Sequence, residues 1–144
     1  MGYTHYWRKA GDSFTTEQWD KLTKSTKRVI QAWELALDHK LAVEYDEPNK
    51  PPHISGECIR FNGIGGDGHE TFMLLKEPDS FEFCKTAEKP YDDVVTAVLI
   101  LANFYAPQAL TITSDGEPAE WSAGLALART QEETAELPFR EAAA

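Results

Sequence analysis

The sequence predicts an α+β fold: a mostly antiparallel sheet of four to six strands, a long amphipathic helix, a buried second helix and a short C-terminal helix. Three observations carry this reading. Short runs alternate aromatic or β-branched residues with polar ones and are bounded by glycine and proline. One long run instead spaces its apolar residues three and four apart, and a later run is apolar nearly all round. At 144 residues the chain is one domain by size, with residues 1–131 globular. Residues 132–144 are acidic and rich in small side chains, which predicts a disordered tail.

Residues 2–8 set Tyr3, His5 and Trp7 against Thr4, Tyr6 and Arg8, a pattern that suits a pleated surface. Thr15 and Gln18 then have the capping-box spacing, in which each side chain satisfies an otherwise unpaired helix N–H. A helix over residues 16–39 follows, with Trp19, Leu22, Thr26, Val29, Ile30, Trp33 and Leu37 on one stripe and Lys21, Lys24, Lys27 and Arg28 largely off it. Residues 41–45 read as a short strand. The three prolines of residues 46–52 dictate an exposed loop.

Residues 54–62 and 69–76 read as two strands of a hairpin joined by Gly63-Ile-Gly-Gly-Asp-Gly68. Residues 81–86 form a short edge strand or an ordered loop. Pro90 opens the apolar helix, and Asp92 and Asp93 lie in its first turn, where carboxylates oppose the helix dipole favourably. Residues 110–113 make a last strand. Pro118 starts the third helix, in which Trp121, Leu125 and Ala128 share a face and Gly124 is out of character.

Composition excludes several functions. A net charge of −10 argues against broad electrostatic binding of nucleic acid, which needs a basic face. Cys58 and Cys84 lack the spacing of a zinc framework. The first residues carry no charged segment and apolar core of a signal peptide, and no run reaches the roughly 20 apolar residues that span a bilayer. The chain therefore reads as a cytoplasmic protein of a reducing compartment, without membrane, metal or cofactor.

The glycine stretch has the letters of the dinucleotide fingerprint G-x-G-x-x-G. That fingerprint needs a helix after the glycines to hold pyrophosphate, and here a strand follows. A hairpin of this composition can still present successive N–H groups to an anion. His69 and Glu70, if in a strand, point to opposite faces. His5 with Asp67 or Asp115 could build an acid–base site. Cys84 stands near Lys85 and Lys89, yet without a histidine partner it reads as a buried thiol. Lys85, Thr86 and Lys89 suit a phosphate or carboxylate, because ammonium, hydroxyl and helix-end N–H groups complement an anion. Arg60, Asn62, Gly65, Gly66 and His69 complete the candidate ligand set, with Tyr91, Tyr6 and Trp7 as stacking surfaces.

The chain resembles a family of small proteins of tailed-phage and prophage genomes. The resemblance rests on Gly2-Tyr-Thr-His-Tyr-Trp7, Phe61-Asn-Gly63 with His69-Glu-Thr-Phe72, Phe83-Cys-Lys-Thr-Ala-Glu-Lys-Pro-Tyr-Asp92, and Ser114-Asp-Gly116. It covers most of residues 2–130 and brings no established catalytic residue. A phage setting implies proteins that disarm host defence, among them oligomeric sponges for nucleotide signals. The leading expectation is thus a non-enzymatic phage accessory protein of the host cytoplasm, a homo-oligomer that sequesters a small anionic, nucleotide-like ligand. Two alternatives stay open: a phosphoester or nucleotide hydrolase using His5 or His69 with Glu70 or Asp115, and an acidic inhibitor of a host nucleic-acid-binding protein.

Overall fold

The computed structural model describes residues 3–139. Seven strands and three α-helices follow the order β1 (Thr4–Lys9), α1 (Thr16–Leu37), β2 (Leu41–Ala42), β3 (His53–Ile54), β4 (Cys58–Gly63), β5 (Phe72–Leu75), β6 (Glu82–Lys85), α2 (Asp92–Tyr105), β7 (Leu110–Ser114) and α3 (Ser122–Arg129). The α+β class holds. The strands divide into two antiparallel sheets in place of one, ordered β6-β1-β7 in the first and with β4 pairing β2, β3 and β5 in the second.

The single strand expected over residues 54–62 is divided between β3 and β4. Residues 54–62 alternate as one strand would, but Ser55 N–H donates to Cys58 O at 2.9 Å and folds the run into a tight hairpin. The glycine-rich connection joins β4 to β5 as the hairpin expected, in register Phe61 opposite Phe72 and Cys58 opposite Leu75. Strand β5 starts at Phe72, so His69 and Glu70 lie in the connection and escape the alternation of a strand.

Helix α1 begins as its capping box dictates: Thr15 Oγ1 accepts from Gln18 N–H at 3.1 Å and Gln18 Oε1 from Thr15 N–H at 3.0 Å. Asp38, left-handed at φ 53°, ends it. Lys21, Lys24, Lys27 and Arg28 are exposed as the stripe requires, whereas Leu37 of the expected stripe is exposed at the last turn.

Helix α2 is the centre of the molecule, buried continuously from Val94 to Ala102, with α1 and α3 against it. Gly124 explains itself here, since a Cβ at that position would collide with the Thr96 hydroxyl of α2. The absence of a side chain is what allows α3 to cross so close. The two sheets meet through rings: Trp7 of β1 lies 5.2 Å from Phe72 of β5, which in turn lies 5.1 Å from Phe61 of β4. Truncating a fully buried ring of this kind costs about 3–5 kcal/mol.

The segment from residue 132 departs from the sequence expectation within the described residues. Ala135 is buried, Phe139 stands edge-on to Trp121 at 4.9 Å, and the Ala135 carbonyl accepts from Arg129 Nε at 2.8 Å. Three apolar side chains, Ala135, Leu137 and Phe139, dock on the core in a stretch whose composition reads as solvated. Residues 140–144 of the expected tail lie outside the described residues.

Candidate functional site

Two polar constellations stand out, one sealed and one open. The sealed one is built on His5 of β1, which is 0 % exposed. Its Nε2 meets Asp92 Oδ1 at 2.6 Å and its Nδ1 meets Ser114 Oγ at 2.7 Å. Thr86 Oγ1 donates to the same Asp92 oxygen at 2.6 Å. Ser114 Oγ already accepts from Gly116 N–H at 2.9 Å and from Trp121 Nε1 at 3.2 Å. With both lone pairs engaged, its hydroxyl proton goes to His5 Nδ1, which leaves Nε2 to carry the ring proton and donate to Asp92.

The distances are those of a serine–histidine–carboxylate triad, but two features deny it that chemistry. The imidazole is closed off from solvent between the rings of Tyr3 at 5.1 Å and Trp121 at 4.9 Å. The Gly116 N–H, which would otherwise be free to stabilise an oxyanion, is committed to the serine itself. The network is a bolt joining β1, β7, the turn before α2, and α2. His5 therefore does not pair with Asp67 or Asp115, the partners considered from sequence; Asp115 instead accepts from Thr4 N–H at 3.1 Å.

The open constellation is a cleft of about 530 Å³ lined by Tyr45, Gly65, Gly66, Gly68, His69, Glu70 and Lys89. The glycine turn forms one wall. Gly65 is left-handed at φ 56°, and the turn's own bonds are donated by Asp67 and Gly68, at 3.1 and 3.2 Å, so Gly65 and Gly66 donate none of them. The neck is clasped by Asn62, whose amide donates to His69 O at 2.9 Å and Thr71 Oγ1 at 3.1 Å and accepts from His69 N–H at 3.2 Å. Gly68 makes this clasp possible, since a Cβ there would overlap Asn62 Oδ1.

Asp67 anchors the turn from behind. Its carboxylate meets His39 Nδ1 at 2.7 Å and its carbonyl accepts from Tyr91 N–H at 3.1 Å. The opposite wall is the turn of residues 86–89, closed by Lys89 N–H to Thr86 O at 3.0 Å. Its two central residues, Ala87 and Glu88, both have positive φ, 52° and 55°. That is the type I′ geometry ordinarily filled by Asn-Gly. It lifts Lys89 to the rim. Glu70 shares the cleft, one of its carboxylate oxygens held by Lys85 N–H at 2.7 Å.

Of the ligand residues read from sequence, Gly65, Gly66, His69 and Lys89 come together at this cleft. The others do not. Thr86 is buried and spends its hydroxyl on Asp92. Tyr91 is buried, its phenol donating to Glu70 O at 2.5 Å and held above its ordinary pKa by burial and then by neighbouring Cys84. It offers no stacking face. Asn62 is the clasp, and Trp7 belongs to the core. Arg60 is paired with Glu44. Lys85 and Tyr6 are placed on the outer face of the first sheet and do not line the cleft.

The N-terminus of α2 is not an anion site either. Asp92, Val94 and Val95 N–H groups donate to Lys89 O and Tyr91 O at 2.8–3.1 Å, and two aspartates stand in the first turn. Burial pushes the Cys84 thiol up to about 12, so no reactive thiolate forms there. Tyr45, exposed at 59 %, is the aromatic that sequence reasoning missed, since it lay in a segment read as strand. A larger cleft of about 640 Å³ between Trp19, Asp20, Glu57, Lys76 and Glu77 has the wrong charge for an anion: three carboxylates and a lysine whose Nζ donates to Thr16 at 3.0 Å.

Among the described residues no three histidine, cysteine or carboxylate side chains group to hold a metal, and no helix is long and apolar enough to cross a membrane. Set against known protein families, curated proteins and solved structures, the chain matches none.

Proposed function

We propose that the protein binds and sequesters a small anionic, nucleotide-like ligand in the cleft between the glycine turn and Lys89. The observation that carries this is convergence: in a chain of net charge −10, Gly65 and Gly66, whose N–H groups are not spent on the turn's own bonds, line one opening with His69, Lys89, the exposed ring of Tyr45 and a single carboxylate, Glu70, which is already held by Lys85 N–H. Backbone N–H groups and an ammonium complement phosphate or carboxylate oxygens, and a phenol ring offers a base a stacking face. In the phage setting that the sequence resembles, this is an accessory protein of the host cytoplasm that removes a nucleotide immune signal, acting as a homo-oligomer.

A panel of cyclic nucleotides and ADP-ribose-type compounds, read by thermal shift, tests it. At least one should raise the melting temperature. Lys89→Ala should weaken that ligand by about 10-fold or more, the loss of one charge-assisted bond, with the unliganded melting temperature unchanged. No shift across the panel, or wild-type affinity in Lys89→Ala, would remove the reading.

A hydrolase reading keeps one specific support, because His69 and Glu70 line the cleft together. It requires turnover of the bound nucleotide that His69→Ala abolishes.

A further inference from the structure

The outer face of the first sheet carries a second arrangement of rings and cations, independent of the cleft. Tyr6 of β1 stands opposite Phe83 of β6, and Thr113 of β7 completes that row. Phe81, two residues before Phe83, lies 6.0 Å from the Tyr6 ring and 6.1 Å from the Phe83 ring. Phe81 and Phe83 are 56 % and 55 % exposed, although strands normally turn such residues inward. The other faces of the same strands hold Trp7, Cys84 and Ile112 in the core, so register fixes Tyr6 and Phe83 outward, and Phe81, just before β6, packs beside them.

Two cations frame the rings. Arg8 follows Tyr6 along β1 and pairs with Thr111, and Lys85 follows Phe83 along β6 and pairs with Thr4. Both are exposed, and among the described residues neither forms an ion pair. Thr4 and Arg8 are four residues apart on one strand, so the cations are separated by about 13 Å along the strand direction, with the aromatic rings between them. Tyr6, Arg8, Phe81, Thr111 and Thr113 line a groove of about 200 Å³. Two carboxylates stand at its edge: Asp115 accepts from Thr4 N–H and from the Tyr6 hydroxyl at 3.1 and 3.4 Å, and Glu70 accepts from Lys85 N–H at 2.7 Å.

We propose that this face binds short single-stranded nucleic acid, two or three bases stacking on Tyr6, Phe81 and Phe83 while Arg8 and Lys85 take the flanking phosphates. A sheet with exposed rings is a stacking platform for unpaired bases, which every base can occupy and a duplex cannot. The net charge of −10 opposes the long electrostatic footprint of duplex binding. Affinity here comes from stacking, and two cations suffice to orient the strand.

Fluorescence polarisation of a labelled oligo-dT or oligo-U with the full chain at low salt tests this. Expected are binding that a duplex of the same length does not compete, a log–log salt slope of about −1.4 for two phosphate contacts, and about 10-fold weakening in Phe83→Ala. Arg8→Ala should flatten the slope, and Lys89→Ala should change nothing, which separates this face from the cleft. Absence of binding to any single strand at low salt, or wild-type affinity in both Phe81→Ala and Phe83→Ala, overturns the proposal. So does a concentration-dependent dimer in sedimentation that Phe83→Ala dissolves without any nucleic acid, because the face would then belong to a second copy.

Discussion

His5 shows how a side chain usually associated with chemistry is turned to stability. Its ring is hydrogen-bonded at both nitrogens, and the Asp92 oxygen that holds Nε2 also holds Thr86. Deleting that oxygen strands two buried donors. Asp92→Ala should cost about 2–4 kcal/mol in urea unfolding, while Asp92→Asn, which keeps the acceptor oxygen, should cost less than half as much. A neutral Asp92→Ala would mean the network is not a structural bolt. None of this was legible in sequence: the partners are 87 and 109 residues apart, and no local spacing announces such a pair. The placement of Gly65 and Gly66 in a turn was legible because a glycine run between two alternating segments marks a hairpin connection. Thr86 and Tyr91 misled because a polar residue before a helix looks the same whether it faces water or the core.

At the scale of elements, those governed by local rules follow the sequence closely. The capping box starts α1, the glycine connection closes the β4–β5 hairpin, and Pro118 opens a 3-10 turn that leads into α3. The turn of residues 86–89 is the opposite case. Ala-Glu at its centre gives no sign of type I′ geometry, since both residues pay the steric cost of positive φ. Tertiary bonds hold it there, with Thr86 and Ala87 N–H both donating to Tyr3 O at 3.1 and 3.2 Å. Glu88→Gly should relieve that cost and stabilise the fold by about 0.5–1 kcal/mol, measured as a rise in the urea midpoint. The same variant should weaken ligand binding if the strained turn holds Lys89 rigidly at the rim. An unchanged or lower midpoint would show that the turn is relaxed as it stands.

Across the whole molecule, the first sheet is assembled from segments far apart in the chain, β1 pairing with β6 and β7, so strand order was beyond any reading of neighbouring residues. The acidic excess has a consequence for stability. Burial, reinforced by Asp79, raises the Glu82 carboxyl to about 7, and burial also raises Asp93. A carboxyl raised in the folded state binds its proton more tightly there than in the unfolded chain. Stability from Glu82 is therefore present at acidic pH and is lost as pH rises from its unfolded value toward about 7. The melting temperature should fall between about pH 4.5 and 7, and Glu82→Gln should flatten that slope. A profile that rises over this range would contradict the charge balance described.

The central claim is that the glycine turn and Lys89 form one anion site. Amide-resolved NMR during titration with the tightest nucleotide of the panel tests it most directly. The account predicts the largest shifts at the amides of Gly65, Gly66 and Gly68, with smaller ones at His69 and Lys89 and all of them reduced in Lys89→Ala at the same sub-saturating ligand concentration. Shifts confined to other surfaces, with the three glycine amides unmoved at saturation, would contradict it.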